Sequence, residues 1–161
     1  HTDVIVLIGF SGVGKTYWGP YIAEQLSKTF YDSDVLLSEQ EKMTVCEIFS
    51  TYGESYFRAK EHDILQRLIA RGNCVIATGG GVVEHPEFLT LVGNAHVWFL
   101  NEPLKSIAAR MSANDFAQRP LWEKRDVLWE RRYPLYMNAA NACTPSDKNA
   151  IDTHIEELQH V

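Results

Sequence analysis

Short, almost wholly apolar runs alternate along this chain with stretches whose apolar residues recur every third or fourth position. "VIVLIG" from Val4 and "CVIATGGG" from Cys74 are runs of the first kind, each closing on glycine, and they predict buried strands. "AHVWFL" predicts another, "TFYD" a short one and "NACT" a weak one. Between them, "YWGPYIAEQLSK" sets Trp18, Ile22 and Leu26 on one helical face, which serves the core. From Val45 to Arg71 the pattern is mostly helical, with Ile64, Leu65, Leu68 and Ile69 forming one stripe that Gly72 stops. "PLKSIAARM", Trp122 to Ala140 and "AIDTHIEELQ" predict further helices, and "SANDFAQRPL" a polar loop. Strands separated by helices predict an α/β fold of three layers, a parallel sheet with helices on both faces.

With 161 residues, 45% of them hydrophobic, the chain can bury one core, so a single domain over 1–161 is expected. No run approaches the roughly 18 apolar residues that cross a bilayer, and no signal segment is visible, so a soluble protein without a membrane partner is expected. Cys46, Cys74 and Cys143 are odd in number, far apart and free of C-x-x-C spacing, which fits a reducing cytoplasm. His62, His85 and His96 lack metal-ligand spacing and are expected to be structural. The formal charge of −6, without an aromatic-interleaved basic stripe, argues against nucleic acid as a partner. An anionic small ligand therefore needs a local cationic cluster.

"GFSGVGKT" supplies the first part of one. Gly9, Gly14, Lys15 and Thr16 satisfy G-x-x-x-x-G-K-[ST], between a predicted strand and a predicted helix. Such a loop turns successive backbone N–H groups around a phosphate while the helix N-terminus adds partial positive charge. Lys15 would reach the outer phosphates and the Thr16 hydroxyl would face magnesium, so a P-loop NTPase fold binding a nucleoside triphosphate is expected. The class is narrowed by absences. "CVIA" ends on Thr78 and glycines with no acid for the metal, and no D-x-x-G or N-K-x-D of a GTPase occurs. Asp32 and Asp34 in "YDSD" are the best remaining acids, expected at the end of a strand beside the P-loop strand. On extended chain, positions i and i+2 share a face, so both carboxylates would address one site. Arg58, Arg119 and Arg132 offer guanidinium forks that pair with carboxylates or phosphates, Arg132 at the start of a turn-and-aromatic stretch.

"GFSGVGKT", "FYDSD", "IFSTYGESYFR", "VIATGGGVV", "RPL" and "RRYPLY" together resemble shikimate kinase in order and rough spacing, from about Ile5 to Tyr136. The resemblance implies a nucleoside-monophosphate-kinase-like fold with a five-stranded parallel sheet. It also implies ATP- and magnesium-dependent phosphorylation of shikimate to shikimate 3-phosphate, a step of aromatic amino acid (chorismate) biosynthesis, by a cytoplasmic monomer. On that likeness Lys15, Asp34 and Arg119 would be catalytic, with Asp34 on the ring hydroxyls. Gly12, Val13, Gly14, Lys15, Thr16 and Tyr17 would hold ATP, with Arg110, Arg119 and Pro145 beside them. Phe49, Phe57, Arg58, Gly79, Gly80, Gly81, Pro120, Leu121 and Arg132 would join Asp34 around shikimate, Arg58 and Arg132 clamping its carboxylate. Thr16 and Asp32 would serve magnesium. Residues 112–121 would form a lid carrying Arg119.

Two positions depart from that pattern. Pro20 stands where the family has a basic residue and predicts a helix bend, and Ser38 stands where it has an acid, with Glu39 adjacent. Two other functions fit a P-loop of this kind. A sugar-acid kinase resembling gluconate kinase would not need the Arg58 and Arg132 pair, and a silent binding domain would be expected to lack Lys15, Asp34 or Arg119, all present here.

Overall fold

The computed structural model describes residues 3–111 and 121–159. Five parallel strands run β1 (Ile5–Ile8), β2 (Thr29–Asp32), β3 (Cys74–Ala77), β4 (His96–Leu100) and β5 (Ala142–Thr144), in the spatial order β2-β3-β1-β4-β5. Every residue of β1 and β3 is buried, and so is β4 after His96, as expected for parallel strands covered on both faces. The register pairs Ile5 with Val75 on one side of β1 and with His96 on the other. Strands β2 and β3 thus lie on one side of β1 and β4 and β5 on the other, which opens a crevice at the carboxyl ends of the strands.

Strand β2 is not beside the P-loop strand, as the sequence suggested. β3 lies between them, with Asp32 level with Ala77. The aspartates still come close to the P-loop because β1, β2 and β3 all end at the same sheet edge.

Eight α-helices flank the sheet among the described residues: α1 (Lys15–Gln25), α2 (Ser33–Glu41), α3 (Val45–Tyr52), α4 (Glu54–Arg71), α5 (Phe88–Val92), α6 (Leu104–Arg110), α7 (Arg125–Ala139) and α8 (Lys148–Gln159). The predicted helical stretch from Val45 to Arg71 is two helices. Gly53, at φ 88, closes α3 and opens α4, while Thr44 and Glu47 form a reciprocal capping box at the start of α3. Helix α2 was not foreseen; it begins inside "YDSD", where Asp32 accepts at its N-cap from the backbone N–H groups of Asp34 (2.9 Å) and Val35 (3.2 Å). Pro20 lies inside α1 and Pro134 inside α7, so Arg132 stands in a helix and not at a turn. Helix α7 buries Leu128, Arg132 and Tyr136, and the Tyr136 ring stacks on Phe99 of β4 at 4.9 Å. An arginine carried into the interior by that face needs partners.

Candidate active site

The P-loop spans 9–14 between β1 and α1. Gly14, at φ 110, is the N-cap of α1, a left-handed conformation that only glycine adopts without strain. Lys15 is buried, and its ammonium folds back to donate to the Gly9 and Phe10 carbonyls. Thr16 Oγ1 donates to Asp32 Oδ2 at 2.8 Å, so the hydroxyl and carboxylate expected at the metal meet across 16 residues of chain. These groups border a cavity of ≈ 270 Å³ that Ser11, Gly12, Gly14, Lys15, Thr16, Tyr17, Asp32, Asp34, Thr78, Gly79 and Gly80 line. Val13 is buried behind it, and its carbonyl accepts from Ser146 Oγ at 2.5 Å. Arg110, at the end of α6, donates from Nη2 to the Gly12 carbonyl at 2.9 Å and pairs through Nη1 with Glu102. Pro145 lines no part of this cavity; its neighbour Ser146 makes the P-loop contact.

A second cavity, of ≈ 150 Å³, lies on the far side of Asp34. Phe49 and Phe57 wall it with ring centroids 4.8 Å apart, and Phe10, Ser11, Val45, Leu121 and Leu128 close it. Arg58, Arg132 and the three glycines complete the lining. The glycines are there for space. A Cβ at Gly79 would stand 2.6 Å from Glu61 Oε2 and 3.2 Å from Asp34 Oδ1. One at Gly81 would overlap the Arg58 guanidinium and stand 2.7 Å from Arg132 Nη2. Tyr136 OH donates to the Gly80 carbonyl and fixes the loop from beneath.

Charge in this second cavity is only partly compensated. Glu61 is buried, accepts from Arg58 Nη1 at 3.0 Å, and leaves Oε2 without a hydrogen bond among the described residues. Arg132 is buried too; its Nε donates to Glu84 at 2.8 Å while Nη2 finds no partner there. Asp34 is half-buried as a residue, yet its Oδ1 is shut from solvent and unpaired among the described residues. Burial first, then the neighbouring Glu61 and Asp32 charges, push the Asp34 carboxyl up to about 7. Burial also raises Glu61, against the pull of Arg58. Unpaired buried polar atoms are costly, so Asp34 Oδ1 and Arg132 Nη2, on two residues that line one hollow, mark a place for a ligand.

Asp34 reaches this position differently from the sequence expectation. It stands in the first turn of α2, not on extended chain, and Asp32 faces Thr16 while Asp34 faces Gly79. The structure gathers Asp34, Phe49, Phe57, Arg58, Gly79, Gly80, Gly81, Leu121 and Arg132 around one cavity; Arg119 and Pro120 lie outside the described residues. Ser11, Glu61, Glu84 and Tyr136 were missed as site residues. Glu61, one helical turn from Arg58, had a local signal. Glu84 had none, since its partner Arg132 is 48 residues away.

The family model for shikimate kinase matches residues 11–161. A shikimate kinase of Chlorobium chlorochromatii is 33% identical over 169 residues, which span 97% of this chain and 88% of that one. Shikimate kinase from Acinetobacter baumannii in complex with shikimate superposes with a TM-score of 0.86 at 29% identity, over 98% of this chain and 90% of that one. A gluconokinase from Sinorhizobium meliloti, with a TM-score of 0.59 at 16% identity over 99% of this chain and 93% of that one, shares the fold alone. A P-loop, a paired-arginine cavity beside it and a match over nearly the whole length agree: the chain belongs to the shikimate kinase family.

Proposed function

We propose that this chain transfers the γ-phosphoryl group of ATP to a ring hydroxyl of shikimate, giving shikimate 3-phosphate for aromatic amino acid biosynthesis, with its two cavities dividing the work. The observation that carries the division is their shared wall. Ser11, Asp34, Gly79 and Gly80 line both, so a phosphate in the P-loop and an acceptor between the arginines meet at Asp34. Phosphoryl transfer asks for alignment and compensating charge more than for covalent help, and two adjoining cavities supply the alignment.

In the acceptor cavity, Arg58 and Arg132 hold the carboxylate of shikimate, whose buried charge answers the unpartnered Arg132 Nη2. Phe49 and Phe57 pack on the ring. Asp34 accepts the proton of the attacking hydroxyl, a task suited to a carboxyl poised at about 7. Lys15 exchanges its carbonyl partners for the outer phosphates, and Arg119 brings further charge to the transferring group. Gly12, Val13, Gly14, Thr16 and Tyr17 hold the rest of the triphosphate, with Arg110 and Pro145 beside the base. The hydroxyl of Thr16 and the carboxylate of Asp32, 2.8 Å apart at the cavity wall, are hard oxygen donors that fit magnesium, which needs few protein ligands when phosphates and water complete its shell. When bound there, magnesium neutralises charge between the outer phosphates. No helix among the described residues is long and apolar enough to cross a membrane. On this reading the enzyme works in the cytoplasm as a monomer, and free Cys46, Cys74 and Cys143 are in keeping with a reducing compartment.

The test is ADP release coupled to a spectrophotometric readout, with magnesium, ATP and shikimate, quinate or gluconate in turn. Shikimate is expected to stimulate turnover far above basal hydrolysis. Stimulation by gluconate but not shikimate would replace this assignment with the sugar-acid one.

A further inference from the structure

Glu84 has no part in the assignments above. It closes the 3-10 turn Val82–Glu84 that follows the three glycines, and its carboxylate gathers two arginines of α7. Arg131 donates from Nε to Oε1 and from Nη2 to Oε2 at 3.2 Å, and Arg132 donates from Nε to Oε2 at 2.8 Å. The Nε edge of Arg132 is thereby fixed, while Nη2 remains buried and without a hydrogen bond among the described residues, beside Gly81. Burial resists ionisation of Glu84, yet the hydrogen bonds from Arg131 and Arg132 hold its carboxyl below the ordinary value, so it is an anion at neutral pH. Arg131 is half-exposed and lines neither cavity; its partner is Glu84.

We propose that Glu84 is a positioning residue for acceptor binding: it locks the guanidinium of Arg132 by one edge so that the other edge faces the acceptor carboxylate, and Arg131 holds Glu84 in place. The inference rests on the assignment of Arg132 to that carboxylate. It opposes the simplest electrostatic expectation. A negative charge next to an anion site repels the anion, so if Glu84 acted through charge alone its removal would tighten binding. If it acts through the geometry of Arg132, its removal loosens binding, because an arginine with long-stem rotamer freedom must then be ordered by the ligand itself.

Steady-state kinetics of the wild type, Glu84→Ala, Glu84→Gln and Arg131→Ala separate these cases, using shikimate and an analogue whose carboxylate is replaced by hydroxymethyl. Glu84→Ala is expected to raise KM for shikimate roughly tenfold, as for loss of a charge-assisted hydrogen bond, with little change in kcat or in KM for ATP. Glu84→Gln keeps one acceptor oxygen and Arg131→Ala keeps the Glu84–Arg132 bond, so both are expected to raise KM by a smaller factor. For the hydroxymethyl analogue the same substitutions are expected to leave KM unchanged. A general loosening of the fold would raise KM for both acceptors equally, and that result overturns the proposal. So does an unchanged or lowered KM for shikimate in Glu84→Ala. If that variant fails to fold, Arg131→Ala decides alone, by whether it raises KM for shikimate and not for the analogue. Absence of shikimate turnover in the wild type would overturn the assignment of Arg132 and this inference together; normal wild-type turnover with unshifted variants overturns this one only.

Discussion

At the scale of single residues, Asp34 shows how the site sets reactivity against stability. Its carboxyl is raised from 3.8 to about 7, so between those values the folded chain keeps a proton that the unfolded chain releases. Stability therefore falls as pH rises through that window, and above it the buried charge is carried at full cost. Replacing Asp34 with Asn removes that charge while keeping size. The ligand-free Asp34→Asn protein is expected to melt a few degrees above wild type at pH 8, with the difference narrowing toward pH 5; a thermal scan at both pH values checks this, and a pH-independent gain would mean that desolvated charge is not the cause. Turnover is expected to fall at least about a hundredfold, since the proposed proton acceptor is lost. In the wild type, kcat/KM for shikimate is expected to rise with pH as Asp34 of the free enzyme ionises near 7, a dependence that Asp34→Asn should lack.

Elements differ in how openly the sequence declared them. Strands β1, β3 and β4 were plain because both faces are buried, which leaves an unbroken apolar run with no competing period. Strand β2 is partly exposed, and its last residue doubles as the cap of α2, so "YDSD" looked like the end of a strand while half of it was already helix. Both aspartates come near the P-loop, but they do not share the expected face, because a cap turns the chain. Lys15, Asp34, Arg58, Arg132 and the glycines were legible through motif spacing; the Glu84 clamp was not, since contact between a 3-10 turn and α7 has no sequence period. The glycine loop itself yields a prediction. Gly81 has φ −100, ψ 6, a conformation open to any residue, and the atoms a Cβ would meet are the ends of the Arg58 and Arg132 side chains. Gly81→Ala is therefore expected to leave the melting temperature nearly unchanged while displacing both guanidinium groups, raising KM for shikimate by about tenfold or more. Kinetics paired with a thermal melt would show it, and a large loss of stability instead would mean that the loop backbone, not the arginine pair, needs the glycine.

At the scale of the whole molecule, parallel topology gathers the ends of β1, β2 and β3 at one edge, with nucleotide and acceptor cavities on either side of Asp34. Residues 112–120 fall in sequence between α6, which ends with Arg110 on the Gly12 carbonyl, and Leu121, which lines the cavity of the arginine pair. Arg119 lies in this segment and Arg132 in the buried face of α7, so their proposed contacts belong to different stages of the reaction. In the proposed role, Arg132 pairs with a carboxylate whose charge is the same before and during transfer, so its loss would weaken binding at both stages. In the proposed role, Arg119 answers charge that redistributes only as the phosphoryl group moves, so its loss would fall mainly on the rate. Arg132→Ala is expected to weaken shikimate binding by about 2–5 kcal/mol, and Arg132→Lys to recover little of it, because an ammonium cannot make the two parallel bonds of a guanidinium. Arg119→Ala is expected to lower kcat with shikimate affinity, measured by calorimetry, nearly unchanged. Equal loss of affinity in both alanine variants, with turnover of the bound state preserved, would move Arg119 from the transferring phosphate to the acceptor pocket.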